Sequence, residues 1–381
     1  MKIPARLGVA CIVGGRPGGD NGRSFALSIA VSFTVTLKAS GHSFQVAPGQ
    51  TVLDAAQQAG LALPYSCRAG VCGSCKATVI EGDCHYPQRP PLALNAAEKA
   101  HHDVLLCQAV PTSDLLLEAR EVASVEDMPM RRFTARVIDK RQVAPDVVCL
   151  ALQPQGAPLR WLPGQYIEVL LDDGHRRPFS IASAPHQGGV IDLHVRHVAG
   201  GGFTSWVFES LHVGDTLELE GPKGTFVPRE DSERPIVLMA GGTGFAPVKT
   251  LVEHFMHLGA QRPLHLYWGA RSAEDLYLRA LPERWAAECP TLDFHAVVSD
   301  AEAAQAVGAR AGYVHECVLA DHPDLSGFDI YMCGPPAMID AGRRAFVAAG
   351  LPEERLYFDS FEYAPEVLAK ILDARAGIHG L

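Results

Sequence analysis

Residues 64–75 read Pro-Tyr-Ser-Cys-Arg-Ala-Gly-Val-Cys-Gly-Ser-Cys, and the rest of the chain is read outward from them. Cys67, Cys72 and Cys75 stand in a C-x4-C-x2-C array, and a fourth cysteine, Cys107, arrives in Leu-Leu-Cys-Gln. Four thiolates at this spacing are the ligand set of a [2Fe–2S] cluster. Ala69, Gly70, Gly73 and Ser74 are small, so the backbone can wrap closely and aim N–H groups at the cluster sulfurs. A structural zinc site is the competing reading, but zinc cages usually come as two close C-x2-C pairs.

The 381 residues predict two or three domains, each long enough for its own core. Apolar residues make up 48% and charged residues 20%, the balance of a globular protein. The formal net charge of -10 argues against general nucleic-acid binding. No run of 18 apolar residues exists, so no membrane span is expected. Of the ten cysteines, the six outside the array show no paired spacing, which suits reduced thiols in a cytoplasm.

Three domains are expected, after an extension. Residues 1–31 hold a short apolar stretch, Leu7–Val13, and a Gly- and Arg-rich run that reads as disordered. They are expected to lie outside the working protein, Val31 marking an alternative start. Residues 32–124 contain the cluster array. Phe33–Lys38 and Ser43–Val46 alternate as strands across Ser40-Gly41, and Thr51 is placed to cap a short helix stopped by Gly60. Lys76–Glu81 and Leu105–Ala109 are further strands, the latter carrying Cys107; His101 and His102 beside it are surface residues. Glu121–Met130 has no periodicity and is read as a linker.

Residues 131–232 hold six short strand candidates at barrel spacing: Phe133–Val137, Val147–Leu152, Tyr166–Leu171, Pro178–Ala182, Ile191–Val195 and Leu217–Leu219. Arg177-Pro-Phe-Ser180 offers a cation for a diphosphate, the ring of Phe179 for stacking and a hydroxyl on Ser180. Gly200–Ser205, with Gly202, Thr204 and Ser205, leads into an apolar helix at Trp206–Leu211, and free N–H groups there suit a phosphate.

From 233 to 381 the period changes to alternating strands and helices, the pattern of a doubly wound parallel sheet. Strands are expected at Pro235–Ala240, Leu264–Gly269, Leu292–Val298, Asp329–Cys333 and Leu356–Asp359. Helices are expected at Pro247–His257, Ala273–Ala287 and Ala337–Ala349. Directly after the first strand comes Gly241-Gly242-Thr243-Gly244-Phe245-Ala246-Pro247, where glycines admit a pyrophosphate and Pro247 is shaped for the first helical turn.

These motifs, in this order, resemble the ferredoxin–NADP reductase superfamily. Arg177–Ser180 and Gly202–Ser205 resemble its R-x-[YF]-[ST] and G-x-x-[ST] signatures, with Phe179 where tyrosine is usual. Gly221–Phe226 resembles the loop that closes its flavin barrel, Gly242–Pro247 its G-x-G-x-x-P loop, and Cys333-Gly334-Pro335-Pro336 its C-G-P-P stretch. The likeness is to oxygenase-type reductases with an N-terminal ferredoxin, such as phenol hydroxylase reductases and CDP-6-deoxy-delta-3,4-glucoseen reductase.

What the resemblance implies is a multidomain fold: a β-grasp 2Fe-2S ferredoxin, a six-stranded antiparallel flavin-binding β-barrel and an α/β nicotinamide nucleotide domain. It implies a [2Fe–2S] cluster, FAD, and NADH or NADPH. Cys333, Ser180 and Phe361 would stand at the reacting rings, and Arg196 and Arg271 would join the cofactor-binding set. Arg271 with Ser272 suits a 2′-phosphate, whereas Glu274 and Asp275 repel one, a balance read as favouring NADH. Electrons would leave for a separate oxygenase component. The alternatives are service to a sugar dehydrase and, in another class, a non-catalytic redox sensor.

Overall fold

The computed structural model describes residues 32–361 except 71, 89, 123–129, 199–201 and 260. The proposed extension, most of the linker, Gly200 and Gly201 therefore lie outside the described residues. The strand Phe33–Leu37 pairs antiparallel with Ser43–Val46 through a turn in which Gly41 takes a φ of 76°. It pairs in parallel with Leu115–Glu118 on its other side. Lys76–Glu81 and Asp103–Leu105 complete a five-stranded mixed sheet, the β-grasp arrangement. Thr51 caps the helix Val52–Gln58 by accepting from Asp54 N, and Val52, Leu53, Ala55 and Ala56 turn into the core. One expectation is corrected here. Cys107 is not on a strand: the chain leaves the sheet after Leu105, and Leu106 N donates to Cys75 O at 3.1 Å. That turn brings the fourth thiol back over the loop holding the other three. His101 and His102 are exposed.

The second sheet has the order Arg176–Ser180, Tyr166–Leu170, Thr216–Lys223, Arg131–Ala144, Val147–Pro154, Ile191–Arg196, every pairing antiparallel. A bridge between Ile181 and Leu193 joins its two edges and closes the barrel. Alternate residues such as Val137, Leu152, Ile167, Val169, Leu193, Val195 and Leu219 fill the interior. The helix expected at Trp206–Leu211 starts earlier, at Gly202, and runs to Glu209.

The third sheet is six-stranded and parallel, in the order Arg310–Ala311, Leu292–Val298, Leu264–Ala270, Ile236–Gly241, Asp329–Gly334, Leu356–Ser360. All residues of Ile236–Gly241 are buried, as a central parallel strand requires. Ile236, Leu238 and Ala240 pack with the helices Phe245–His257 and Ala280–Glu288; Val237 and Met239 pack with Val314–Asp321 and Pro336–Ala348. Strand order reverses beside Ile236–Gly241, so the crevice at its carboxyl end is where such a sheet takes a ligand. The helix expected over 273–287 begins only at Ala280, because Asp275 draws in both Ser272 N and its hydroxyl and keeps the segment in turns.

Candidate functional site

Cys67, Cys72, Cys75 and Cys107 are all buried. Among the described residues no three His, Cys, Asp or Glu side chains converge on one point as a single ion needs. The thiols pair instead. A hydrogen bond with Cys67 lowers the Cys72 thiol to about 6 against its burial, and a hydrogen bond with Cys107 pushes Cys75 well up. Two pairs of thiols suit a cluster of two irons, each held by two cysteines. Ala69 N and Ser74 N approach the sulfurs of Cys67 and Cys72 at 3.3 and 3.4 Å. Gly70 has a φ of 73°, and a Cβ there would meet Gln108 Oε1 at 2.4 Å, so the loop conformation requires glycine.

This loop is held by both other sheets. Tyr65 N donates to Thr225 Oγ1 at 2.9 Å, and Gly224 N donates to the Tyr65 hydroxyl at 3.0 Å. Ser66 donates to a carboxylate oxygen of Asp359, and Ser74 to Phe358 O at 3.4 Å. Lys76, just past Cys75, bridges Glu98 and Glu353 at 3.2 and 3.1 Å, and Arg343 reaches Glu98 at 2.9 Å.

A cleft of about 1530 Å³ lies between barrel and parallel sheet. Arg177, Phe179, Ser180, Arg196, Gly202 and Thr204 line its barrel side, and Gly242, Thr243, Arg271, Pro335 and Phe361 its other side. Motifs far apart in sequence thus share one space, large enough for two nucleotides. Phe179 also packs against Phe203, ring centroids 5.5 Å apart. Arg196 reaches across to Asp275 at 2.6 Å while holding Asp146 at 2.7 Å. Its Nη2 is buried without a hydrogen-bond partner among the described residues, 3.7 Å from where a Cβ on Gly242 would stand. An unsatisfied guanidinium nitrogen beside a glycine loop fits an anionic phosphate.

Ser205, Gly244, Pro247 and Cys333 stand outside the cleft lining. Ser205 bonds His197 at 3.1 Å, and Thr204 accepts from Val198 N at 3.1 Å. Gly244 and Pro247 are buried at the start of their helix. Cys333 is fully buried among Phe245, Trp268 and Tyr331, so its side chain does not line the cleft. Gly334 O accepts from Phe361 N at 3.1 Å, which fixes Phe361 at the cleft edge.

A second, small cavity of about 50 Å³ lies between the cysteine loop and the barrel motif. Ser66 lines it with Tyr166, Pro178, Phe179, Ser180, Asp359, Ser360 and Phe361. The cluster loop therefore abuts the barrel motif directly. Ser66 and Asp359 carry no sequence signal of their own, since their partnership spans most of the chain. His194, also on the cleft wall, is signalled only by standing two residues before Arg196 on the same strand.

Residues 35–112 match the family model of the 2Fe-2S iron-sulfur cluster binding domain. Residues 134–227 match the oxidoreductase FAD-binding domain, and residues 238–344 the oxidoreductase NAD-binding domain. The cofactors are accordingly a [2Fe–2S] cluster, FAD and a nicotinamide nucleotide. Over 332 residues the chain is 38% identical to a CDP-6-deoxy-L-threo-D-glycero-4-hexulose-3-dehydrase reductase of Yersinia pseudotuberculosis, covering 87% of this chain and 99% of that one. It is 36% identical over 324 residues to reductase component 1 of the terephthalate 1,2-dioxygenase of Comamonas, covering 85% and 95%. The crystal structure of the Amycolatopsis cytochrome P450 reductase GcoB superposes with a TM-score of 0.68 at 33% identity, covering 86% of this chain and 98% of that one.

Proposed function

The chain belongs to the NAD(P)H-dependent iron–sulfur flavoprotein reductases of the ferredoxin–NADP reductase superfamily, and from that premise we propose that it is the reductase component of an oxygenase system. It is an oxidoreductase that moves electrons from NAD(P)H through FAD to a [2Fe–2S] cluster and on to a separate protein. The observation that carries this reading is the shared wall of Ser66, Phe179, Ser180 and Phe361, which sets the cluster loop against the flavin motif. When bound, FAD would supply the exchange between the paired electrons of a pyridine nucleotide and the single electrons a cluster takes.

The chain's own residues bind and orient. Arg177 is assigned to the flavin diphosphate, Phe179 to one face of its ring, Ser180 to its edge, and the helix start at Gly202 to phosphate. Arg176 and Arg177 both line the cleft, and Arg176 is engaged by Glu168 and Glu220. Gly242, Thr243 and Gly244 with Arg196 are assigned to the nicotinamide nucleotide. Cys67 and Cys72 would hold one iron, Cys75 and Cys107 the other. NADH is the proposed donor, because Ser272 N and its hydroxyl are both committed to Asp275 rather than available to a 2′-phosphate.

Residues 32–124, 131–232 and 233–381 are proposed as the three domains. A cytoplasmic location is proposed because the nine described cysteines form no disulfide. No helix among the described residues is long and apolar enough to cross a membrane. The second reading is service to a sugar dehydrase, favoured by the likeness to the Yersinia reductase.

The test is anaerobic titration of the purified, cofactor-loaded protein with NADH. Bleaching of both flavin and cluster absorption, with rapid reduction of cytochrome c, is expected. A flavin that NADH does not reduce would overturn the reading. Assays with candidate oxygenase and dehydrase components then separate the two partners.

A further inference from the structure

His194 belongs to no motif of the sequence reading, yet it stands on the cleft wall. The strand Ile191–Arg196 sends Leu193 and Val195 into the barrel core, and His194 and Arg196 to the side facing the parallel sheet. The imidazole is only 8% exposed. Its Nδ1 lies 2.9 Å from the Tyr277 hydroxyl, and the two rings meet edge-on at 88° with centroids 5.4 Å apart. Tyr277 in turn packs edge-on against Trp268, whose Nε1 donates to Gly242 O at 3.0 Å. The histidine is thus braced from the nucleotide side, through Tyr277 and then Trp268 of the strand Leu264–Ala270, which bonds the glycine loop.

The Tyr277 hydroxyl, with His194 Nδ1 as its one hydrogen-bond partner among the described residues, is taken as the donor of that bond. The ring proton then sits on Nε2. Burial holds Tyr277 well above its ordinary range, and burial, aided by Lys249 and Arg141, lowers His194 to about 3. The imidazole stays neutral throughout the working range and offers one fixed N–H.

We propose that His194 touches a bound cofactor, its Nε2–H donating to a carbonyl oxygen of a planar ring in the cleft, with Tyr277 as its positioning residue. An uncharged donor suits a carbonyl. The phosphates have Arg177, Arg196 and Arg271 on the same walls. Two ring systems present such an oxygen, the pyrimidine edge of the flavin and the carboxamide of the nicotinamide. The inference rests on the electron-transfer reading above, in which both enter this cleft.

The experiment uses the loaded protein with His194→Ala, His194→Gln and Tyr277→Phe. It measures the flavin midpoint potential and FAD retention on one arm, and the dissociation constants of NAD+ and ADP-ribose on the other. A neutral hydrogen bond lost to Ala should weaken one arm by roughly tenfold. Gln, whose amide can donate from a similar position, should recover most of it, and Tyr277→Phe should lose part. A change confined to potential or retention assigns the flavin carbonyl. A weakened NAD+ with unchanged ADP-ribose assigns the carboxamide. Wild-type values for His194→Ala on both arms overturn the proposal, and if that variant does not fold, wild-type values for Tyr277→Phe do so. Should the unsubstituted protein bind neither FAD nor NAD+, the electron-transfer reading fails instead.

Discussion

Ser66 donates its hydroxyl proton to a carboxylate oxygen of Asp359, joining the residue before the first cluster thiol to the strand Leu356–Ser360. Both line the small cavity shared with Phe179 and Ser180. The bond therefore ties the cluster loop to the wall it shares with the barrel motif. Ser66→Ala and Asp359→Ala should each slow NADH-driven cytochrome c reduction by about fivefold, the effect of losing one positioning bond of about 1 kcal/mol. Ferricyanide, which takes electrons from flavin directly, should be reduced at the wild-type rate. Because the two residues form one contact, the double variant should cost no more than either single one. Additive losses would show that the bond does not act as a unit.

Cys72 is buried and paired with Cys67. Cys72→Ser removes a soft thiolate ligand that a hydroxyl replaces poorly. The visible absorption of the cluster and cytochrome c reduction should both be lost, while flavin content and ferricyanide reduction persist. Loss of all activities together would show that the cluster loop, held as it is to Thr225 and Asp359, is needed to fold the rest.

The cysteine array, the barrel motif and the glycine loop can be read from sequence because each packs its chemistry into a few adjacent residues. Strand alternation likewise carries Phe33–Leu37, and burial on both faces carries Ile236–Gly241. Contacts between distant residues leave no such trace. Nothing local tells Ser66 of Asp359, His194 of Tyr277, or Arg196 of Asp275. The boundaries that fail do so for the same reason. Cys107 leaves its strand because Leu106 bonds back to Cys75, and the helix expected from Ala273 waits until Ala280 because Asp275 holds Ser272 and Arg196. Cys333 sits in a motif, yet the aromatic core around it encloses its side chain.

Gly244 tests how closely the glycine loop is packed. A Cβ there would lie 2.1 Å from Cys333 O and 2.5 Å from its carbonyl carbon. Both are backbone atoms of the adjacent strand, so no side chain can swing aside. Gly244→Ala should destabilise the nucleotide domain by about 1–3 kcal/mol, the range for overpacking a core. Weakened NAD+ binding with normal cluster absorption would be its signature. Gly202→Ala, where a Cβ meets nothing within 4 Å, is the control and should leave the fold unchanged.

The barrel carries its own acid sensitivity. Burial pushes the Glu220 carboxyl up, but hydrogen bonds from Lys223, Arg132 and Arg176 outweigh it and bring the group down to about 2 from an ordinary 4.5. Lys223 and Arg176 also hold Glu168, so the cluster of charges fastens the strand bearing Arg176 and Arg177 to its neighbours. A carboxyl whose folded value is depressed contributes stability that is present above its unfolded value and lost as the pH falls towards its folded one. For Glu220 that window runs from about 4.5 down to about 2. The thermal midpoint should therefore drop between pH 5 and pH 3. Glu220→Gln should lower the midpoint at pH 7 and make its fall between pH 5 and pH 3 shallower, other carboxylates supplying the remainder. An unchanged slope in that variant would mean that the pairing with Lys223 and Arg132 contributes nothing to stability.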